Sequence, residues 1–178
     1  VSRCEVLRLR PLPLEQLAAV LQSNWQIASE EARRLAHLSG GRPGAALRML
    51  ANPDEVEQHQ SLLEDLLRLV ASSRRERFTY AVQFKGDRDL EKTREKLRRA
   101  LLAWLSFWRD VLLCSSGSGA PLTNLDWTPQ IQRIAGQLSL AQARARVVDL
   151  ERGLSRLDAN VNTQLLAEVI LLDWPKIS

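Results

Sequence analysis

The sequence predicts an all-α protein in two parts, and three observations carry that expectation. After residue 10, apolar residues recur at intervals of three and four along nearly the whole chain. Glycines, prolines and capping residues fall between these periodic segments, where helices start and stop. Only the first ten residues depart from the pattern: Val6-Leu7-Arg8-Leu9 leads into Pro11 and Pro13, and prolines discourage helix just before them, so residues 1–10 read as a short extended entry.

The first helix is read from Leu14 to Leu21, with apolar residues at 14, 17, 20 and 21. Ser29 is expected to cap a second helix whose first turn holds Glu30 and Glu31, favourable at the positive end of a helix, and which ends near Ser39. Gly40 and Gly41 can take the positive φ that stops it. Pro43 suits the first turn of a third helix running to about Ala51. Together these make a compact three-helix unit. Asn52-Pro53-Asp54-Glu55 reads as a junction: Asn52 can cap the next helix, Pro53 fits its first position and Glu55 can bond back to the cap.

Beyond the junction, Val56, His59, Leu63, Leu66 and Val70 follow helical spacing, and a short Phe78–Phe84 segment comes next. One long helix is predicted from Asp87 to about Cys114. Its seam is Leu90, Leu97, Leu101, Trp104, Trp108 and Val111, broadened at the end by Leu102, Leu105, Phe107, Leu112 and Leu113. The Ser115-to-Pro121 stretch is too poor in side chains to pack and reads as a loop. Thr128-Pro129 starts another helix, and Ser139 caps a further one whose Leu140, Ala143, Val147, Leu150, Leu154 and Leu157 form a heptad seam. The last helix, about Asn160 to Trp174, carries Val161, Leu165, Val169 and Leu172 on one stripe with Leu166 and Ile170 beside it, and stops at Pro175. Such a wide apolar face suits packing between helices or subunits.

Composition narrows the function. With 178 residues the chain can bury about two-thirds of its unfolded surface. It has no apolar run near the ~18 residues a membrane helix needs. Val1-Ser2-Arg3-Cys4 carries neither an initiating Met nor a signal peptide and reads as the start of an excised fragment. Cys4 and Cys114 form no disulfide framework or zinc motif, which fits a reducing cytoplasm.

The formal charge is +4, with 25 Lys plus Arg against 21 Asp plus Glu. The densest basic run, Arg74 to Arg99, contains the pairs Asp89–Lys92, Glu91–Arg94 and Glu95–Arg99, the spacing of a solvated helix surface rather than of a DNA-binding stripe. His59 falls on an apolar seam, where a satisfied boundary histidine is commoner than a ligand, and His37 has no metal-binding motif around it. Cys114 ends an apolar helix, a setting that raises a thiol pKa. Gly40-Gly41-Arg42-Pro43-Gly44 lacks the Lys-Ser or Lys-Thr of a phosphate loop. The five tryptophans read mainly as core rather than as a base-stacking platform.

Three motifs carry a family likeness. Ser2-Arg3-Cys4, followed by Leu9-Arg10-Pro11-Leu12, resembles the Ser-Arg-Cys motif that ends the nucleotide-binding domain of clamp-loader ATPases of the AAA+ class. The run from Leu38 to Leu47 resembles the turn and third helix of the lid domain that follows, in the form typical of the delta prime subunit of the bacterial DNA polymerase III clamp loader. Asn160 to Glu168 resembles the last collar helix of that subunit. The resemblance implies the end of a nucleotide-binding domain at 1–10, a three-helix AAA+ lid at 11–51 and a helical-bundle collar at 52–178.

It further implies that Arg3 is a trans-acting arginine finger for a neighbouring subunit, because a guanidinium offers fixed donors and permanent charge to the γ-phosphate of ATP bound next door. ATP-hydrolysing members carry a sensor arginine in a Gly-Ser-x-Arg-Asp pattern. Aligned on Gly41, that arginine's place is taken by Gly44, and Arg42 lies two positions early. The implied chain has no cofactor or metal of its own. It is not an enzyme by itself but belongs to an ATP-driven loader within a DNA-directed DNA polymerase (nucleotidyltransferase) holoenzyme. Its partners are the gamma/tau and delta subunits through the collar, and the sliding clamp and primed DNA indirectly. The alternatives are a gamma/tau ATPase subunit and a helical nucleic-acid-binding adaptor using the Arg74–Arg99 face.

Overall fold

The computed structural model describes residues 10–86, 89–159 and 161–177. Every regular element among them is a helix, as the sequence predicts. The chain divides into two compact units, Val1–Pro53 and Asp54–Ser178. Of the extended entry predicted for residues 1–10, all but residue 10, Arg3 and Cys4 included, lies outside the described residues.

The first unit holds α1 (Leu14–Trp25), α2 (Ser29–Leu38) and α3 (Pro43–Ala51). Leu17, Ala18 and Leu21 of α1, Ala32, Leu35 and Ala36 of α2, and Ala46 of α3 form its core. Ser29 does not cap α2. It is the first helical residue, Ala28 holds the cap position and no side chain bonds there, so the two acidic residues of the first turn are left to satisfy the helix end. The far end is closed as predicted. Gly40 at φ 60° donates its N–H to His37 O at 2.9 Å, and Gly41 donates to Ala36 O at 3.0 Å, the paired bonds of a Schellman turn. Gly41 carries a second constraint: at φ 74°, a Cβ on it would stand 2.3 Å from Leu12 O, while Leu12 N–H bonds Gly41 O at 2.7 Å. Asn52 turns its side chain back, donating Nδ2 to Arg48 O at 3.0 Å at the end of α3.

The second unit comprises α4 (Pro53–Ala71, starting at the boundary), α5 (Arg74–Ala81) with a 3₁₀ turn (Val82–Phe84), α6 (Leu90–Ser115), a 3₁₀ turn (Leu125–Trp127), α7 (Thr128–Ala135), α8 (Leu140–Asp158) and α9 (Thr163–Leu172). The long central α6 packs against α7, α8 and α9. Its predicted seam is buried at Leu97, Leu101, Trp104, Trp108 and Val111, but Leu90 and Leu102 are half exposed. Trp174 stands edge-on to Trp104, with ring centroids 5.0 Å apart, and 6.1 Å from Trp108. Trp104 Nε1 donates to Leu62 O at 3.0 Å, tying α6 to α4. The α8 seam is buried at Ala143, Val147, Leu150 and Leu157, with Leu140 in solvent at its first turn. Gly153 lets α9 come close, since a Cβ there would meet Ile170 Cδ1 at 2.6 Å.

The segment read as Phe78–Phe84 is instead a full helix begun by a capping box: Ser73 Oγ accepts from Glu76 N–H, and Glu76 accepts from Ser73 N–H. Its Arg77, inside the predicted solvated charge run, is buried. Nε donates to Leu69 O (2.8 Å), Nη1 to Leu171 O (3.2 Å) and Trp174 O (2.5 Å), and Nη2 to Val70 O (3.1 Å) and Pro175 O (3.0 Å). All five N–H groups of the guanidinium therefore close on carbonyls at or just past the C-terminal ends of α4 and α9, where helix dipoles favour a cation.

Of the wide apolar face predicted for the last helix, the side that carries Leu166 and Ile170 turns into the core. Thr163, Leu166, Ala167, Ile170 and Leu171 are buried, while Val161, Leu165 and Val169 lie 36, 58 and 43 % exposed. Both stripes are apolar, so hydrophobicity alone does not choose between them. The choice falls to Thr163, whose Oγ1 donates to Phe84 O at 2.6 Å, and to the close approach at Gly153.

Replacing Arg77 by Met is expected to destabilise the second unit by about 3–5 kcal/mol in urea unfolding, because the removed donors leave buried carbonyls unpaired. A loss below about 1 kcal/mol would contradict the role given to it. Gly41→Ala is expected to lower the melting of the first unit through backbone strain of about 1–3 kcal/mol, with the second unit unaffected.

Candidate functional site

Within the second unit, the most connected buried polar cluster links α4, α6 and the loop that follows α6. Asp110, on the buried face of α6, accepts Thr123 N–H (2.9 Å), Asn124 N–H (2.8 Å) and Asn124 Nδ2 (2.8 Å). Asn124 Nδ2 also reaches Ser106 Oγ at 3.2 Å, and Asn124 Oδ1 accepts from His59 Nε2 at 2.8 Å. Gln60 Nε2 donates to Asp126 Oδ2 at 3.4 Å beside it. A carboxylate buried among leucines needs such donors. Here they hold the start of the Leu125–Trp127 turn, and with it α7, against α6. Sequence reasoning placed His59 as a satisfied boundary residue and so found one end of the chain of bonds. It missed Asp110, which in the sequence is one of two adjacent charges, Arg109 and Asp110, between Trp108 and Val111 in an apolar run.

The arrangement performs no evident chemistry. Ser106 Oγ donates to Ala103 O at 2.7 Å, so its hydroxyl is committed to its own helix rather than to the histidine. Burial holds the His59 imidazole below its usual pKa, against opposing contributions from the Asn124 bond and the Asp110 charge. Burial pushes the Cys114 thiol up, followed by the Asp110 charge, away from nucleophile behaviour. Among the described residues no group of three or more His, Cys, Asp or Glu could hold a metal ion, and no helix is long and apolar enough to cross a membrane.

The basic run from Arg74 to Arg99 is largely engaged within the fold. Lys92 pairs with Asp89 at 2.9 Å and Arg99 with Glu95 at 2.9 Å, as the spacing predicts. Arg94 reaches Leu157 O at 3.1 Å, Arg98 pairs with Asp158, and Lys96 lies over the Phe84 ring. Gly44, in the first turn of α3, is exposed with open space where a Cβ would stand. Of the tryptophans, 104, 108 and 174 are core, Trp127 is half-buried and Trp25, at the end of α1, is 45 % exposed.

The described residues thus define an all-helical scaffold whose buried polar groups hold loops and helix ends in place. Residues 53–176 match the family described as DNA polymerase III, delta subunit, C terminal. The chain belongs to that family, a family of DNA polymerase III clamp-loader subunits. No curated protein and no solved structure matches it.

The His59 site gives a pH signature with a definite sign. Because the folded-state pKa lies below the ordinary 6.5, the unfolded chain takes up the proton first, so stability falls as pH drops below about 6.5 and levels off under the folded value. His59→Gln is expected to remove that increment. Denaturant unfolding of both proteins between neutral and mildly acidic pH checks it, and parallel curves would contradict it.

Proposed function

We propose that this chain is the C-terminal part of a delta prime-type subunit of the clamp loader, with residues 11–51 as lid and 52–178 as collar. It assembles with gamma/tau and delta subunits into the ring that opens the sliding clamp and loads it on primed DNA. The observation that carries the reading is the family match over residues 53–176, nearly the whole second unit. The delta prime assignment rests on the resemblance of the opening motif and of the Leu38–Leu47 turn, and on glycine rather than arginine at position 44. In this reading the chain hydrolyses no ATP and gives Arg3 to a neighbour's γ-phosphate, where a guanidinium stabilises the charge that develops in phosphoryl transfer.

The collar partner is proposed to cover Val161, Leu165 and Val169. Leu165 and Val169 stand one turn apart on α9 and Val161 lies just before its cap, and apolar side chains left in solvent there suit a neighbouring helix. The gamma/tau reading is disfavoured by Gly44. The nucleic-acid adaptor reading is disfavoured by the intramolecular use of Arg77, Lys92, Arg94, Arg98 and Arg99.

Reconstitution from full-length subunits tests both parts. Leu165→Ser with Val169→Ser is expected to leave the fold intact and to reduce incorporation into the complex, read by gel filtration. Arg3→Ala is expected to assemble normally and to lower DNA-stimulated ATP hydrolysis by roughly tenfold or more. Unchanged hydrolysis would remove the finger assignment, and unchanged assembly of the α9 variant would remove the assigned contact row.

A further inference from the structure

The outer face of α5 departs from what helix stability alone would select. Arg75, Phe78, Thr79 and Val82 lie at i, i+3, i+4 and i+7, one side of a helical surface. Phe78 is 46 % and Val82 51 % exposed, and Arg74 and Arg75 beside them are exposed. The Thr79 hydroxyl is turned back onto Arg75 O at 3.1 Å, so this residue adds little polarity to the face. Glu76 lies off that face, bonded to Ser73 N–H at 2.7 Å.

The two arginines also work against their own element. They occupy the first two positions of α5, where the helix dipole is positive and carboxylates are preferred. Arg74 adds a repulsion on the buried Arg77 guanidinium, after burial the larger influence lowering its pKa. Lys176 also acts on Glu76 at this end of the helix, as does Arg68, which is paired with Asp65 at 2.5 Å. A row that combines an exposed aromatic, an exposed aliphatic and unfavourably placed arginines breaks local rules with no gain inside the fold, as binding surfaces do.

We propose that this face of α5 docks an acidic segment of a partner protein, with apolar side chains set on Phe78 and Val82 and carboxylates meeting Arg74 and Arg75. Charge complementarity selects the occupant: two exposed arginines beside an exposed apolar pair match a short amphipathic segment rich in Asp and Glu. A single-stranded nucleic acid would also meet the charge. Val82, however, offers an aliphatic branch rather than a stacking plane, which favours the peptide. The surface is independent of the α9 row and of the assembly reading.

The test selects random displayed peptides on the full chain, then measures a synthesised winner by fluorescence anisotropy. Enriched sequences are expected to be acidic with apolar residues at helical spacing. Binding is expected to weaken about tenfold or more in Phe78→Ser with Val82→Ser, and similarly in Arg74→Glu with Arg75→Glu. The charge-reversed variant should melt no lower than the parent, because its carboxylates suit the helix start, so lost binding cannot be ascribed to lost fold. Leu165→Ser with Val169→Ser should bind as the parent does. Enrichment of basic or uncharged sequences, binding that survives both α5 variants, or full displacement of the peptide only by single-stranded DNA that itself binds more tightly through the same residues would overturn the proposal.

Discussion

A buried arginine, with no carboxylate paired to it among the described residues, organises the second unit. Desolvating a guanidinium is expensive, and Arg77 compensates with geometry: its planar fork places five donors on five carbonyls. Those carbonyls belong to the ends of α4 and α9, far apart in sequence, so one side chain joins the first and last helices of the unit. The segment after α9 is held with them, since Ile177 N–H bonds Val70 O at 3.0 Å. That brings Trp174 onto Trp104 and Trp108, which closes the core around α6. A lysine could supply at most three of the five bonds and none in a fixed plane.

The same logic recurs at Asp110 with opposite charge. There a carboxylate gathers the N–H groups of a loop instead of the C=O groups of helix ends, and the loop so held begins α7. Two buried charged side chains, Arg77 on carbonyls and Asp110 on the N–H groups of Thr123 and Asn124 and the Asn124 amide, thus set positions that apolar packing leaves undetermined.

Much of the architecture was legible in the sequence. The helices around Leu14, Ser29, Pro43, Thr128 and Leu140 could be placed because glycine, proline and capping side chains act within a few residues of themselves. Ser139 caps α8 through a box with Gln142, and Gly40 and Gly41 take the positive φ their position asks for. What could not be read depends on partners distant in sequence. Arg77 looked like one more solvated charge because its carbonyls lie up to 98 residues away. Ser29 failed as a cap because Ala28 already holds that position. Which side of the wide apolar face of α9 is buried could not be read, because both stripes are apolar and tertiary contacts at Thr163 and Gly153 distinguish them.

The proposed function rests on surfaces, and the interior beneath them is closed where Arg77 joins α4, α5 and α9. Native-state hydrogen exchange on the full chain measures that closure most directly. The account predicts that the last turn of α4, the core-facing amides of α5 and those of α9 open together, with the same free energy as global unfolding of the second unit. Separate, lower-energy opening of α5, with α4 and α9 still protected, would contradict the claim that Arg77 binds the three into one cooperative body.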